Sequence, residues 1–256
     1  MQAHLVQLET TWHDPTSNFA SVRRLIGGAG VRPGDLIVLP EMFDTGFSWD
    51  IKVTVDRGAT LEFLESLARE YKSCVIGGRT IAGEAPGKGL NVATAVGPDG
   101  AVLGEFAKMH LFPIGEETRH MQAGTSMMTF RWPPRDGLIV CPAICYDLRF
   151  PEQFRAGLRL GAELFVVPAC WLEGRHAHWR ALLIARAIEN QAFVLGVNRT
   201  GRDPNARYLG GSIAVSPRGD VIGELGEPEG VLSVLIDATE LRAWREKFPA
   251  WRDAGA

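Results

Sequence analysis

The sequence predicts an α/β fold, and three observations carry that prediction. Short, continuous apolar runs recur at 36–39 (L-I-V-L), 138–140 (L-I-V) and 164–167 (L-F-V-V). Runs of this kind suit strands covered on both faces, as in parallel sheets. Between them lie segments whose apolar residues recur at helical spacing, 18–29, 60–71 and 176–191. Each run then stops at a proline with a distinctive residue just beyond: L-P-E at Glu41, C-P-A-I-C at Cys145 and P-A-C-W at Trp171. Open α/β sheets bind ligands beyond the carboxyl ends of their strands, so these endings should bring Glu41, Cys145 and Trp171 to one cleft.

Taken in order, the first strand is predicted at 4–8. A helix follows over 18–29, with Phe19, Val22, Leu25 and Ile26 on one face and glycines at 27, 28 and 30 to stop it. A strand at 36–39 precedes a second amphipathic helix, 60–71, marked by Leu61, Phe63, Leu64, Leu67 and Ala68, and then a strand at 74–77. Segments 91–96 and 101–106 flank P-D-G, a hairpin signal. Residues 109–124 form an irregular polar stretch, long enough to suggest a functional loop. After the strand at 138–140, Pro151 suits a first helical position, which places a helix at 152–160. A strand at 164–167, a helix at 176–191 and a strand at 193–197 follow, then strand-like segments at 208–216, 221–225 and 231–236. The tail, 241–253, carries Trp244, Phe248 and Trp251, which must cover either another part of the chain or a partner subunit. No linker, low-complexity segment or charge block divides the sequence, so one domain over 1–256 is expected.

Composition narrows the function. The chain has 256 residues, 46% hydrophobic and 22% charged, ordinary values for a soluble protein with a sizeable core. A formal charge of −3 gives no basic footprint for nucleic acid. No apolar run approaches membrane-spanning length and no signal peptide is visible. The four cysteines, at 74, 141, 145 and 170, lie among apolar residues without zinc-site spacing. Reduced thiols, a cytoplasmic setting and no metal or other cofactor are therefore expected.

Three residues invite a chemical reading, and each has a bland alternative. Cys145 follows a strand and a tight turn and precedes a helix start; amides at such a place favour a thiolate, yet simple packing is the usual fate of a buried free cysteine and on this stretch alone stands slightly ahead. Glu41 directly follows four apolar residues and a proline, which suits a general base or a carboxylate satisfied by backbone amides. Lys108 ends a strand at the mouth of the long loop, where a solvated lysine would be unremarkable. Together the three supply a nucleophile, a base and a positive charge for an oxyanion. Histidines stand at 4, 13, 110, 120, 176 and 178, and of these His110 and His178 remain open as partners for the cysteine.

Five strings, in this order and spacing, give the sequence a family. L-P-E-M-F (39–43), K-M-H-L-F (108–112), C-Y-D-L-R-F-P-E (145–152), A-H-W (177–179) and A-R-A-I-E-N-Q (185–191) resemble the nitrilase, or carbon–nitrogen hydrolase, superfamily over nearly the whole chain. The resemblance implies a four-layer α-β-β-α sandwich that dimerises through helices beside the active site. It makes Glu41 the general base, Lys108 the oxyanion stabiliser and Cys145 the nucleophile, with Glu117 or its neighbour Glu116 as a second glutamate supporting the site. Within the superfamily L-P-E-M-F-x-x-G-F (39–47) and E-K-F-P-A-W (246–251) most resemble bacterial ω-amidases. That implies hydrolysis of the terminal amide of a 2-oxoglutaramate or 2-oxosuccinamate type of substrate, releasing ammonia. Relatives acting on deaminated glutathione or N-carbamoyl compounds share C-Y-D-L-R-F-P-E, and a non-catalytic binding protein on the same fold is the rival of a different class.

Other residues are placed less sharply. The backbone N–H of Tyr146 would help hold the oxyanion, and Trp171 would line the pocket. Arg149 could recognise a substrate carboxylate, although Asp147 and Glu152 beside it favour a structural ion pair; Arg175 and amides after Trp171 are further candidates. Glu189 and Asn190 are expected to brace the fold, and Cys141 and Cys170 to pack.

Overall fold

Side-chain alternation along the first strands decides which layer each residue joins. In the computed structural model, which describes residues 1–114, 116–132 and 137–255, Leu36 and Val38 point into one apolar cluster while Ile37 and Leu39 point into another. The same period-2 sorting sends Ala3 and Leu5 one way and Val6 and Leu8 the other.

The strands of the first half are β1 (Gln2–Gln7), β2 (Leu36–Val38), β3 (Cys74–Ala82), β4 (Gly89–Val96) and β5 (Val102–Ala107). The second half adds β6 (Phe130–Arg131), β7 (Ile139–Pro142), β8 (Leu164–Ala169), β9 (Phe193–Asn198), β10 (Thr200–Arg202) and β11 (Arg207–Leu209). It ends with β12 (Ile213–Val215), β13 (Val221–Glu224) and β14 (Gly230–Leu235). Two six-stranded sheets result, in the orders β14-β1-β2-β3-β4-β5 and β13-β12-β9-β8-β7-β6, with β10 and β11 as a separate ribbon. β1, β2 and β3 run parallel, as do β7, β8 and β9. β14 closes the first sheet antiparallel to β1, pairing Gln2 with Leu235.

Helices are α1 (Pro15–Gly27), α2 (Ile51–Thr54), α3 (Ala59–Tyr71), α4 (Glu117–His120), α5 (Pro151–Arg159), α6 (His176–Asn190) and α7 (Ala238–Lys247). Val22 and Ile26 of α1 and Phe63, Leu64 and Leu67 of α3 cover the outer face of the first sheet. Phe154 of α5 and Trp179, Leu183 and Ala187 of α6 belong to the cluster that includes the second sheet and the inner face of the first. With β1 lying against β9, the layers are helix, sheet, sheet, helix, the four-layer sandwich that the resemblance implied. Among the described residues no helix is long and apolar enough to cross a membrane.

Differences from the predicted elements have local causes. α1 begins three residues early because Pro15 opens it and the Asp14 carboxylate caps the Ser17 N–H. The predicted strand 208–216 is broken into β11 and β12 by Gly210 and Gly211, both at positive φ (63° and 74°). The long loop holds one helical turn, α4. The tail covers its own chain: Gln191 bonds Phe248 O and the Trp251 N–H, and Arg245 donates to Ala162 O and Gln191 O.

Candidate active site

The carboxyl ends of β2, β7 and β8 open onto one cavity. Cys145, Tyr146, Arg149, Cys170, Trp171 and Arg175 line it, together with the rings of Phe47 and Phe112. Glu41 lies just beneath this lining, since its backbone carbonyl accepts from the Cys170 thiol (3.2 Å). The three strand endings therefore meet as the proline-stopped runs predicted.

Glu41 and Lys108 are fully buried and bonded to each other. Lys108 Nζ donates to Glu41 Oε1 (2.9 Å) and to both oxygens of Glu117 (3.0 Å each). Of the two neighbouring glutamates it is Glu117 that meets Lys108; Glu116 is exposed and pairs with Arg119. Further donors reach the two carboxylates, one a side-chain amide and two backbone N–H groups. Asn91 Nδ2 donates to Glu41 Oε1 (2.7 Å), the Cys170 N–H to Glu41 Oε2 (2.7 Å) and the Phe112 N–H to Glu117 Oε2. Glu41 can sit here because β3 passes directly beneath it: a Cβ on Gly78 would lie 2.6 Å from Glu41 Cα and 2.7 Å from Pro40 O.

Electrostatics follow from burial. Burial alone would lower the Lys108 pKa, but Glu117 and Glu41 override it and hold the ammonium well above its usual range. Burial raises the Glu117 pKa against the pull of Lys108, with the Glu41 charge adding to the rise. The cluster thus holds one buried cation between two buried carboxylates.

Cys145 stands at the start of a five-residue 3₁₀ turn, Cys145–Arg149, with φ of 46°. A non-glycine residue held there stores strain, of a kind that clusters at functional sites. The first N–H groups of any such turn have no acceptor within it, and the Tyr146 N–H is one of them. The expected lowering of the thiol pKa is reversed. Burial and the Glu41 charge raise it well above the usual value, and Lys108 offsets them only in part. Desolvation of a thiolate in this pocket outweighs the few amides of a short turn, which favours the thiol form.

Arg149 also departs from expectation. Among the described residues it makes no ion pair with Asp147 or Glu152; its guanidinium lies over the Trp171 ring (4.9 Å) and the Tyr146 ring (5.8 Å) and contacts His178 Nδ1 (3.3 Å). Asp147 instead serves His110 and the Ile144 N–H. The two histidines left open, His110 and His178, are thus turned to Asp147 and Arg149. Trp171 is fixed by Asn198 Oδ1 at its N–H (2.7 Å) and by Arg175 O at its indole nitrogen (2.8 Å). Arg175 places its guanidinium over Phe112, 5.4 Å from the ring centre. In A-R-A-I-E-N-Q, Arg186 donates to Leu148 O (3.1 and 2.8 Å) and to Glu189, bracing the Cys145–Arg149 turn from α6.

Comparison with known proteins agrees with this geometry. The carbon–nitrogen hydrolase family model matches residues 2–246. The Escherichia coli ω-amidase YafV is 34% identical over 253 residues, covering 98% of this chain and 95% of that protein. The 2-oxoglutaramate amidase of Bacillus subtilis is 31% identical, covering 97% and 95%. A Xanthomonas campestris protein of the same superfamily, crystallised with an arsenic adduct in its active site, superposes with a TM-score of 0.90 at 33% identity, covering 99% of this chain and 96% of that one. The chain belongs to the carbon–nitrogen hydrolase family and is an enzyme that hydrolyses carbon–nitrogen bonds.

Proposed function

We propose that the protein is a thiol ω-amidase that cleaves the terminal amide of a short 2-oxo acid, such as 2-oxoglutaramate, through a Cys145 thioester. The observation that carries this reading is that Cys145 lines one cavity with two guanidinium groups, Arg149 and Arg175, while the buried Glu41–Lys108–Glu117 cluster lies behind that lining and acts on the Cys145 thiol. Both guanidiniums lie over aromatic rings, which fixes their planes and leaves N–H edges for a carboxylate.

In this reading Glu41 takes the Cys145 proton as sulfur attacks the amide carbonyl. Lys108 Nζ and the Tyr146 N–H hold the tetrahedral oxyanion, where losing one donor typically costs ~2.7–4 kcal/mol. Glu41 returns the proton to the departing ammonia, and then activates the water that opens the thioester. Glu117 anchors Lys108, and Trp171 and Tyr146 wall the acyl chain. No cofactor enters these steps. One hydrolase domain spans 1–256, and the exposed apolar Leu160, just past α5, Ile188 on α6 and Phe248, just past α7, support a homodimer.

A pocket built for a carboxylate should reject an analogue lacking it, because its polar groups would be left unpaired. Ammonia release should therefore show kcat/KM for 2-oxoglutaramate at least ~10²-fold above butyramide, with glutamine between them. Equal rates on the charged and neutral amides would refute the 2-oxo acid assignment.

A further inference from the structure

The segment bearing Lys108 and the turn bearing Cys145 come from different sheets, and one carboxylate joins them. Lys108 directly follows β5 in the first sheet, and Cys145 follows β7 in the second. Asp147 is fully buried between them. Its Oδ1 accepts from the His110 backbone N–H (2.8 Å) and lies 2.8 Å from His110 Nδ1. Its Oδ2 accepts from the Ile144 N–H (3.0 Å), and its own N–H donates to Ile144 O (2.9 Å). A carboxylate can only accept, so Nδ1 carries the imidazole proton. Gln153 Oε1 lies 3.0 Å from the same nitrogen, and the ring is stacked on Phe150 (3.6 Å between centroids).

Two residues further on, the Phe112 N–H is held by Glu117. K-M-H-L-F is thus pinned at His110 to the nucleophile turn and at Phe112 to the carboxylate that anchors Lys108. We propose that His110 and Asp147 form a latch across the two sheets, a pair of positioning residues that sets the place of the Lys108 ammonium relative to the Cys145 sulfur. The charge of Lys108 acts directly on the Cys145 thiol, so a shift of the segment changes both thiolate formation and oxyanion binding. Misplacement of a reacting group by about 1 Å can cost roughly 10²-fold in rate. The Asp147 bond to His110 also raises the imidazole pKa, as expected when a buried carboxylate has this ring as its cationic partner.

His110 is one-third exposed at its side chain, so its replacement leaves the core intact. His110→Ala removes the side-chain bond, and His110→Asn offers an amide N–H close to the position of Nδ1. Two rates are measured at equal folded fraction: alkylation of Cys145 by iodoacetamide, followed on the Cys145 peptide, and kcat per titrated Cys145 on the best amide. The alanine variant should lose about tenfold in both with KM within about twofold, and the asparagine variant should recover to within about threefold of wild type. If both variants matched the wild type, or were equally slow, the latch would be overturned, the second outcome meaning that stacking on Phe150 is what matters. The kcat readout rests on the amidase reading, but alkylation needs no substrate. A wild type that releases no ammonia would therefore sink that reading while leaving the latch tested by alkylation.

Discussion

Replacing Asp44 with asparagine should favour the folded state increasingly as the pH rises through 6. Asp44 lies three residues beyond Glu41, fully buried, accepting from Thr60 Oγ1 (2.8 Å). Burial, opposed in part by that bond and reinforced by the Asp56 charge, raises its pKa from 3.8 to about 6. Between those values the folded protein keeps a proton that the unfolded chain has released, so stability falls as the pH rises, and above 6 the loss is complete. At about 1.36 kcal/mol per pKa unit, the penalty is roughly 1.6 kcal/mol near pH 5 and about 3 kcal/mol near pH 7.5. Asparagine keeps the acceptor for Thr60 and carries no charge, although its amide needs a new partner, a cost of about 1–3 kcal/mol that does not vary with pH. The stability difference between variant and wild type, read by urea unfolding, should therefore shift by about 1.4 kcal/mol in favour of asparagine between those two pH values. A difference that is the same at both would refute the burial argument.

Other consequences of the geometry can be tested the same way. Lys108→Met strands two buried carboxylates and should cost roughly 3–5 kcal/mol of stability, part of which Glu117→Gln in the same chain should restore; chemical denaturation of the single and double variants decides it. Gly78→Ala forces the Glu41 backbone off β3, so kcat should fall at least about tenfold while KM changes little, and steady-state kinetics at unchanged kcat would contradict the close approach. Thiolate absorbance in the wild type should be absent at neutral pH, since burial and Glu41 hold Cys145 as a thiol; a transition below pH 7 that disappears in Cys145→Ser would overturn that direction.

What the sequence made legible divides along physical lines. Proline-stopped apolar runs located β2, β7 and β8, because strands buried on both faces leave an unbroken apolar string. The two-residue β6 and the ribbon strand β10 left no such string and were missed. Glu41, Lys108 and Cys145 were recognisable by type and motif, and the choice between Glu116 and Glu117 needed only the direction each side chain takes from one helical turn. Asn91 and Cys170 escaped because one is a strand amide and the other acts through its backbone N–H, which any residue could supply. The ion pair expected beside Arg149 does not form, since proximity in sequence to Asp147 says nothing of direction: the turn at Cys145 sends the carboxylate to His110 and the guanidinium to Trp171. The sign of the Cys145 shift was misjudged for a related reason. Strand and turn chemistry are local, whereas desolvation depends on everything that packs around the sulfur.

The measurement that bears most directly on Cys145 as nucleophile is ammonia release by Cys145→Ala from the amide that the wild type turns over fastest, with the unfolding midpoint recorded on the same sample. The pocket geometry predicts no turnover above the uncatalysed rate at a midpoint close to wild type, because only the buried sulfhydryl is lost, leaving a methyl side chain in an otherwise intact cluster. Ammonia released at a substantial fraction of the wild-type rate would contradict it.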